Sequence, residues 1–587
     1  MKQNFVKSRW LFTMLLFVTT MIMPSMMLAE SISPSEPTGK GTADEPYQIG
    51  NAAQLYWFAG LVNGTLPNVE KNASANAILT ADIIVNEGVL DANKDLVSGK
   101  DFIPWTPIGT SDVPYTGTFD GKGYTISGLY FNNPTSYYVG LFGCIGANGK
   151  ISNVGVLDSY FQFCALGGGV CGMNKNGELQ NCSNSSTVIC SMQDGTGGVC
   201  GYNSKGTVRD CKNTGSVRGK APLGGVCGVN SYGTITNCFN EGTVSVTVTS
   251  GNVGGVCGNN YSGTIKCSYN TASVSGQYNV GGVCGSNNYG TITNCYYLSD
   301  TAIGGINGKD VSGKAEGKSR EKFESGEVAY LLAEAEGKVL GEQVWGQQLG
   351  KDLYPVLGSD YKVIKAAQGD KDANGKDTYW ATFSNLKNDV TLSVPAELDR
   401  TLNVYNATVS GGKLTLTQRS DYQVAKEEGV LLKTDGEYVN AKANETDELA
   451  KASSYENHLV ATPAEAKTVT AETGCKLYRL TYNKAEKKEG LGFYLGVDDG
   501  KSLKATPGKA YLKVSEDEAK DPSSAAFACS FVFGGGNETT GIEGITIMGT
   551  DVQHHGTIEG IFDLQGRKIV NPTKGIYIKN NKKVISR

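Results

Sequence analysis

The chain has 587 residues, which is too long for one compact core and predicts several folding units. Its formal net charge of −5 gives no electrostatic footprint for nucleic acid, so we expect no nucleic-acid partner. Glycine is over-represented at 77 residues whereas proline is scarce at 16, a mixture that indicates many tight turns and not a disordered linker protein.

Residues 1–29 have the order of a secretory signal peptide: basic residues, an apolar run from Trp10 to Met23, and small residues ending at Ala29. A bilayer span needs roughly twenty apolar residues, and this run is shorter, so we expect cleavage near Glu30 and no membrane span afterwards. No cysteine precedes Cys144, so a lipid-modified cysteine has no candidate. These features predict a secreted or cell-surface bacterial protein.

Residues 30–160 are predicted to form an N-terminal cap and the first coils of a repeat region. The segment LYWFAGLVN places Leu55, Phe58 and Val62 on one helical face. Val139 to Gly143 reads VGLFG, a degenerate version of the motif that repeats downstream. The degenerate motif carries an aromatic residue where the later copies carry cysteine, which indicates that this position requires apolar volume.

Residues 161–300 contain an internal repeat, the feature that decides the fold. The string GGVCG occurs five times at spacings of 29, 27, 30 and 27 residues. An asparagine follows each cysteine by three residues and a glycine follows that asparagine by three. These positions are Cys171, Cys200, Cys227, Cys257 and Cys284; Asn174, Asn203, Asn230, Asn260 and Asn287; and Gly177, Gly206, Gly233, Gly263 and Gly290.

Units this short cannot bury an apolar face alone, so they must stack with equivalent residues in ladders. The repeat predicts an all-β chain with a β-solenoid of roughly six coils, each read as strand, turn, strand, turn, strand. The recurring asparagines tolerate left-handed backbone and the glycines supply positive φ, so we expect both at turns. The variable stretch Glu241 to Gly251 is expected in such a turn.

This pattern resembles the GLUG-motif repeats of surface proteins of Gram-negative bacteria, over about residues 40–300. The resemblance implies a β-helix (solenoid) whose opening coils and cap lie upstream of the repeats. It also implies an adhesin-like or structural surface protein that needs no cofactor. We expect glycans or host surface proteins as ligands, although the sequence does not identify the ligand.

Thirteen of the fifteen cysteines lie between Cys144 and Cys295, where export would permit disulfides. We favour stacked, reduced, core-forming cysteines, with some disulfides or a metal ladder as alternatives. Zinc sites use CxxC or histidine at close spacing, and the repeats contain neither, so no metal site is predicted.

A one-residue slip supports the reduced ladder. The second cysteine of the fourth repeat comes one residue early, which puts Cys267 in the place of Asn237 and Ser268 in the place of Cys238. A solenoid held by required disulfides would not tolerate this exchange, whereas a small buried side chain would. Adjacent Val and Cys in GGVCG would point to opposite faces of a straight strand, so the sequence leaves open which one faces the core.

The sequence predicts no catalytic residue. The three histidines, His458, His554 and His555, lie outside the repeats, which excludes histidine triads and HExxH sites there. The enzyme alternative is a β-helical polysaccharide lyase or glycosidase, for which Glu178 and Asp210 lie near equivalent strand positions.

Tyrosines recur near one turn of the repeat, at Tyr202, Tyr232, Tyr261 and Tyr289. The surrounding surface is rich in Asn and Thr, so it is suited to glycans through stacking and hydrogen bonds. The alternative is that these tyrosines only cover the turn ladder.

Residues 301–360 are predicted to form a helical closing cap and linker. The segment FESGEVAYLLAEAEG has helical spacing, with Ser325 as the capping residue and Gly337 past the end. The segment WGQQLGKDLYPVL is expected to cover the edge of the last coil.

Residues 361–535 contain nine short alternating runs with turn residues between them, which predicts a β-sandwich. Residues 536–587 are predicted to be a linker and a tail. Gly566, Arg567, Gly575 and Tyr577 match the pattern of the sorting domain of the type IX secretion route, and this resemblance implies secretion machinery as a partner. The alternative is a terminal hairpin pair that completes the β-domain.

Overall fold

The computed structural model describes residues 32–586 with short gaps. The predicted signal peptide and the sorting residues Gly566 and Arg567 lie outside the described residues. The gaps are 193, 221, 248–250, 370, 373, 396–399, 411–412, 447–448, 450–456, 484–489, 498–499, 520–527, 530–541, 549–560, 563–567, 570–574 and 580–581.

A helix, Ala52–Asn63, covers the start of the solenoid. It begins because the Asn51 side chain accepts a hydrogen bond from the backbone N–H of Gln54 at 3.0 Å, and it ends at Gly64, which has φ +72. Its buried residues, including the predicted Leu55 and Phe58, join the hydrophobic core that fills the coils.

The solenoid consists of five parallel sheets, which we number in the order that one coil visits them from GGVCG. Sheet 1 contains Phe142–Ile145, Cys171–Lys175, Cys200–Ser204, Cys227–Ser231, Cys257–Tyr261 and Cys284–Asn288. Sheet 2 contains Tyr47–Ile49, Ala77–Leu79, Thr118–Asp120, Lys150–Ser152, Glu178–Gln180, Thr207–Arg209, Thr234–Thr236, Thr264–Lys266 and Thr291–Thr293. Sheet 3 contains Ile83–Ile84, Thr125–Ser127, Gly155–Leu157, Ser183–Asn184, Lys212–Asn213, Phe239–Asn240, Tyr269–Asn270, Cys295–Leu298 and Ala315–Lys318.

The other two sheets complete each coil. Sheet 4 contains Tyr130–Asn132, Tyr160–Phe163, Thr187–Cys190, Ser216–Gly219, Val244–Val246 and Val274–Ser275. Sheet 5 contains Tyr137–Val139, Ala165–Gly168, Thr196–Gly197, Leu223–Gly224, Val253–Gly254 and Val280–Gly281. The solenoid is confirmed, with about eight turns where six were expected. Each repeat forms five short strands and not the predicted three. Short bends, which the sequence pattern does not predict, divide the extended stretches.

The Val and the Cys of GGVCG both face the core. Val170 and Cys171 have no exposed surface, and the same holds for the equivalent pairs of the other repeats. The backbone bends at Gly169 and Val170 before the strand begins at Cys171, so the alternation of a straight strand does not apply.

The segment after the last coil contains the helices Arg320–Glu324 and Glu327–Ala335 and the antiparallel strands Trp345–Gly346 and Val356–Leu357. Ser325 ends the first of these helices and does not cap the second, whose N-cap is the left-handed Gly326. The Trp345 indole donates a hydrogen bond to the Cys267 carbonyl at 3.2 Å. The predicted closing segment therefore packs against the outer side of sheet 3, where Trp345 contacts the Phe239 and Tyr269 rings.

The chain divides into two compact units. The first ends at Lys365 and also includes Thr391–Arg400 and Tyr438–Glu445. It contains Tyr361–Lys365 paired antiparallel with Tyr438–Ala443. Two further short strands of the chain are Val390–Ser393 and Gln423–Val424.

The second unit is built of antiparallel sheets, as predicted. One sheet contains Ala367–Gln368, Tyr379–Ser384, Gly429–Thr434, Leu402–Ser410, Lys413–Gln418, Ile542–Met548 and Ala528–Cys529. The other contains Leu459–Ala461, Ala510–Ser515, Cys475–Asn483 and Gly490–Leu495, and Thr468–Thr470 pairs with Ser502–Lys504. Trp380 and Leu431 of the first sheet share one core with Phe493 and Leu512 of the second. A short helix, Glu516–Ala519, follows.

The tail forms a small antiparallel sheet of Lys568–Ile569, Ile561–Phe562, Gly575–Lys579 and Lys582–Ser586. Two of the predicted sorting residues lie in one hairpin of it, with Gly575 opposite Ser586 and Tyr577 opposite Val584. Among the described residues, no helix is long and apolar enough to cross a bilayer.

Candidate functional site

The five asparagines of the repeat form a ladder inside the solenoid, in which the first four are fully buried and Asn287 is half-buried. Each side-chain N–H donates to the Oδ1 of the asparagine on the next coil, at 2.9 Å for Asn174 to Asn203 and 2.8 Å for Asn203 to Asn230. The bonds from Asn230 to Asn260 and from Asn260 to Asn287 measure 2.8 and 2.7 Å. Each amide also donates to the carbonyl of its own repeat glycine. The ladder thus satisfies polar groups that would otherwise be buried without partners.

The repeat glycines are needed for space and not for positive φ, which corrects our expectation. Gly177, Gly206, Gly233, Gly263 and Gly290 have ordinary φ, and the residue before each of them takes the left-handed conformation. A Cβ on Gly206 would lie 2.2 Å from the Asn174 Nδ2. The asparagines lie in strands and not at turns.

A second asparagine ladder, which the sequence analysis did not single out, runs through sheet 3. Asn184, Asn213, Asn240 and Asn270 are fully buried and linked by bonds of 2.8, 2.8 and 2.7 Å. The second glycine of the first four GGVCG copies packs against it, since a Cβ on Gly225 would lie 2.2 Å from the Asn240 Cγ. Its signal was present in the sequence, because each of these asparagines recurs at the repeat spacing shortly after the second cysteine.

The cysteines of the repeats stack in two buried ladders, one in sheet 1 and a second, where strands of sheet 3 begin, made of Cys182, Cys211, Cys238 and Cys295. Cys171, Cys200, Cys227, Cys257 and Cys284 lie in register in sheet 1, and all of the cysteines whose side chains are described have free thiols. Burial raises the pKa of Cys144 to about 11 and that of Cys295 to about 12, so these side chains are neutral thiols at physiological pH. No group of described residues could hold a metal ion.

The slip in the second cysteine ladder lies where the sequence placed it. Phe239 and Asn240 pair with Tyr269 and Asn270, which puts Ser268 in the position of Cys238. The Ser268 hydroxyl accepts a hydrogen bond from the Cys238 N–H at 3.1 Å and donates to the Lys266 carbonyl at 2.9 Å. Cys267 takes the left-handed conformation, φ +49, that Asn237 adopts on the preceding coil.

Three tyrosines form an exposed row at the turn between sheets 1 and 2. Tyr232, Tyr261 and Tyr289 are 57%, 41% and 90% exposed. The ring centroids of Tyr232 and Tyr261 are 5.6 Å apart and those of Tyr261 and Tyr289 are 6.3 Å apart, both edge to face. Tyr202 does not belong to this row, because it pairs with Val229 in the middle of its sheet 1 strand.

Threonines extend the surface beside the tyrosine row. Thr234, Thr264 and Thr291 begin successive strands of sheet 2 in register, and Thr236 and Thr293 end two of them. On the other side of the row, Asn288 donates to the Asn259 Oδ1 at 3.2 Å. We call the surface made by the three tyrosines and these threonines the tyrosine face.

The two carboxylates considered for an enzyme meet at one guanidinium. Arg209 donates to Glu178 at 2.6 Å and to Asp210 at 3.0 Å, and Lys150 lies 3.7 Å from Glu178. These hydrogen bonds and charges raise the pKa of Arg209. The arrangement is an ion-paired network on adjacent coils, with each carboxylate paired to a fixed cation.

Comparison with known proteins agrees with the repeat assignment. The GLUG motif model matches residues 194–218. Halomucin of Haloquadratum walsbyi is 30% identical over 154 residues, which is 26% of this chain and 2% of halomucin. A "Putative Gly-rich membrane protein" of Evansella cellulosilytica is 37% identical over 82 residues, 14% of this chain and 9% of that protein. The chain therefore spans only a small part of the relatives that it matches.

One solved structure is similar over a longer stretch. It is titled a "putative immunoglobulin A1 protease from Bacteroides ovatus", with 21% identity and a TM-score of 0.38 over 55% of this chain and 95% of that chain. At this level of similarity the match carries no argument about activity.

Proposed function

We propose that the chain is a secreted or surface-exposed, adhesin-like repeat protein that binds an extended glycan along the tyrosine face. The observation that carries this proposal is the row of three exposed tyrosines beside regularly spaced threonine hydroxyls. Aromatic rings pack against the apolar face of a sugar, and hydroxyls and amides hydrogen-bond its edges.

The ring geometry suggests how the glycan lies. Tyr232 and Tyr289 occupy the same turn position two coils apart, about 10 Å along the stack. Tyr261 stands roughly edge-on between them, at interplanar angles of 76° and 88°. The outer two rings thus offer stacking surfaces for every other sugar of a chain that runs along the solenoid axis.

Binding without cleavage is part of the proposal. Glu178 and Asp210 are both engaged by Arg209, which favours a structural role for them over acid and base catalysis. Incubation of the protein with bound polysaccharide should release no new reducing ends and no unsaturated sugars. Either product would instead support the polysaccharide lyase or glycosidase.

The experiment is a glycan-array screen with the full chain, followed by affinity measurements on the best ligand. The variant Y232A/Y261A/Y289A should bind at least about tenfold more weakly, since each stacking contact contributes about 1 kcal/mol. Tyr278→Ala is the matched control, because Tyr278 is 63% exposed but lies outside the row. Unchanged affinity of the triple variant would refute the assignment of the face.

Export and sorting are proposed from the two chain ends. The signal-like residues 1–29 and the tail hairpin containing Gly575 and Tyr577 support delivery by a secretion machinery. Deleting Glu559 to Arg587 should abolish surface display while leaving the protein produced and folded. Normal display of the truncated chain would favour the alternative, a hairpin that only completes the C-terminal β-structure.

A further inference from the structure

A row of polar side chains marks the turn between sheets 2 and 3. Asn153, Asn181, Asp210 and Asn237 all have left-handed backbone, with φ between +50 and +57. Within this row Asn181 donates to the Asn153 Oδ1 at 2.8 Å and Asn237 donates to the Asp210 Oδ1 at 3.1 Å. In both pairs the later coil donates to the earlier one.

The row is interrupted between Asn181 and Asp210. An ionised carboxylate has no hydrogen to donate, so the Asn181 Oδ1 receives no bond from the next coil. Within the described part of the chain no other residue donates to it. The Asn181 Oδ1 can therefore accept from a ligand hydroxyl, and each Asp210 oxygen, which accepts one bond from Asn237 or Arg209, retains one further lone pair.

The interruption lies in a groove of about 230 Å³. Its lining includes the polar residues Asn181, Ser183, Asp210 and Lys212 and the apolar residues Phe239, Val356 and Leu357. Lys212 is exposed and forms no ion pair with any described residue. Burial raises the pKa of the nearby Glu241 carboxyl, and the positive charge of Lys212 offsets part of this rise. Lys212 and Glu241 nevertheless form no ion pair with each other.

We propose that this groove binds an acidic sugar residue, a uronic or sialic acid. This assignment rests on the proposed function of the chain as a glycan-binding protein. Sugar hydroxyls donate to Asn181 and Asp210, the sugar carboxylate pairs with Lys212, and the apolar sugar face packs against Val356, which is 38% exposed. A metal cation fits less well, because Asp210 is already neutralised by Arg209 at 3.0 Å and Lys212 adds positive charge.

The test is calorimetry of the full chain with the methyl glycosides of galacturonic acid and N-acetylneuraminic acid, and with neutral methyl galactoside. We expect an acidic glycoside to bind at least tenfold more tightly than the neutral one. Lys212→Met should remove this preference and Lys212→Arg should keep most of it. Lys314→Met is the matched control, because Lys314 is an exposed lysine that lies outside both the groove and the tyrosine face.

Failure of this proposal is distinguishable from failure of the tyrosine face. The groove should bind the acidic glycoside equally well in Y232A/Y261A/Y289A, whose substitutions lie on another turn. No binding of either acidic glycoside, or equal binding by K212M and the unaltered protein, overturns the acidic-sugar site whatever the tyrosine variant does.

Discussion

The side-chain amide of Asn203 donates to the Oδ1 of Asn230 at 2.8 Å inside the solenoid, where neither residue has exposed surface. This bond repeats along the stack, so a single substitution leaves unpaired groups on two neighbouring coils. Asn230→Ala should lower the free energy of unfolding by about 2–4 kcal/mol, because buried donors and acceptors lose their partners. Urea unfolding followed by circular dichroism measures this change. Asn259→Ala, on the outer face of the next strand, is the control and should lower the free energy of unfolding by less than about 0.5 kcal/mol. Equal losses in the two variants would show that the buried ladder stabilises the fold no more than a surface asparagine does.

Glycine at position 225 should be irreplaceable for steric reasons. A Cβ there would lie 2.2 Å from the Asn240 Cγ and 2.1 Å from the Gly255 carbonyl oxygen, and backbone cannot move aside cheaply. We expect Gly225→Ala to destabilise the fold by about 3 kcal/mol or to prevent folding. Gly276→Ala meets only side-chain methyl groups at 3.1 Å and should be tolerated. Thermal melts of both variants make the comparison, and a stable G225A protein would contradict it.

Ser268 should be replaceable by cysteine but not by alanine. Its hydroxyl accepts from the Cys238 N–H at 3.1 Å, a role that the Cys211 sulfur performs for Cys182 at 3.4 Å. Ser268→Cys should therefore change stability by less than about 1 kcal/mol, whereas Ser268→Ala should cost about 1–2 kcal/mol by leaving the N–H unpaired. If urea midpoints of the two variants coincide, the hydrogen bond has no measurable value.

The ladder cysteines should resist alkylation in the native protein. The ladder cysteines are buried, so the reagent has no access to them, and burial also raises the pKa of Cys295 to about 12. Iodoacetamide labelling with peptide mass spectrometry should mark the half-buried Cys475 first. Adding denaturant without reductant should then expose the repeat thiols. Few reactive thiols under those conditions would instead establish disulfides between coils.

The stacking and its register could be predicted because they depend on repetition alone. The spacing of GGVCG identified the ladders, and the early Cys267 located the slip. Local geometry was harder, since nothing in the pattern reveals the bend at Gly169 and Val170 that turns both Val and Cys inward.

The predictions for Gly206 and Tyr202 were wrong because both relied on the local sequence pattern alone. The repeat predicts positive φ at Gly206 because glycine often serves that purpose, but the close approach of the Asn174 amide is what excludes a side chain. Proximity to a turn in the sequence groups Tyr202 with Tyr232, although sheet pairing separates the two. The groove at Lys212 could not be predicted, because the distant residues Val356 and Leu357 complete it.

The direction of the amide ladder governs how the protein can change in length. Asn174 begins it opposite the apolar Ile145, and Asn287 ends it with a bond to its own Gly290 carbonyl. Every asparagine in between donates to the asparagine of the next coil and accepts from that of the preceding coil. Gene duplication or loss of a whole repeat would therefore lengthen or shorten the solenoid by about 4.8 Å and leave no ladder amide without its hydrogen-bond partner.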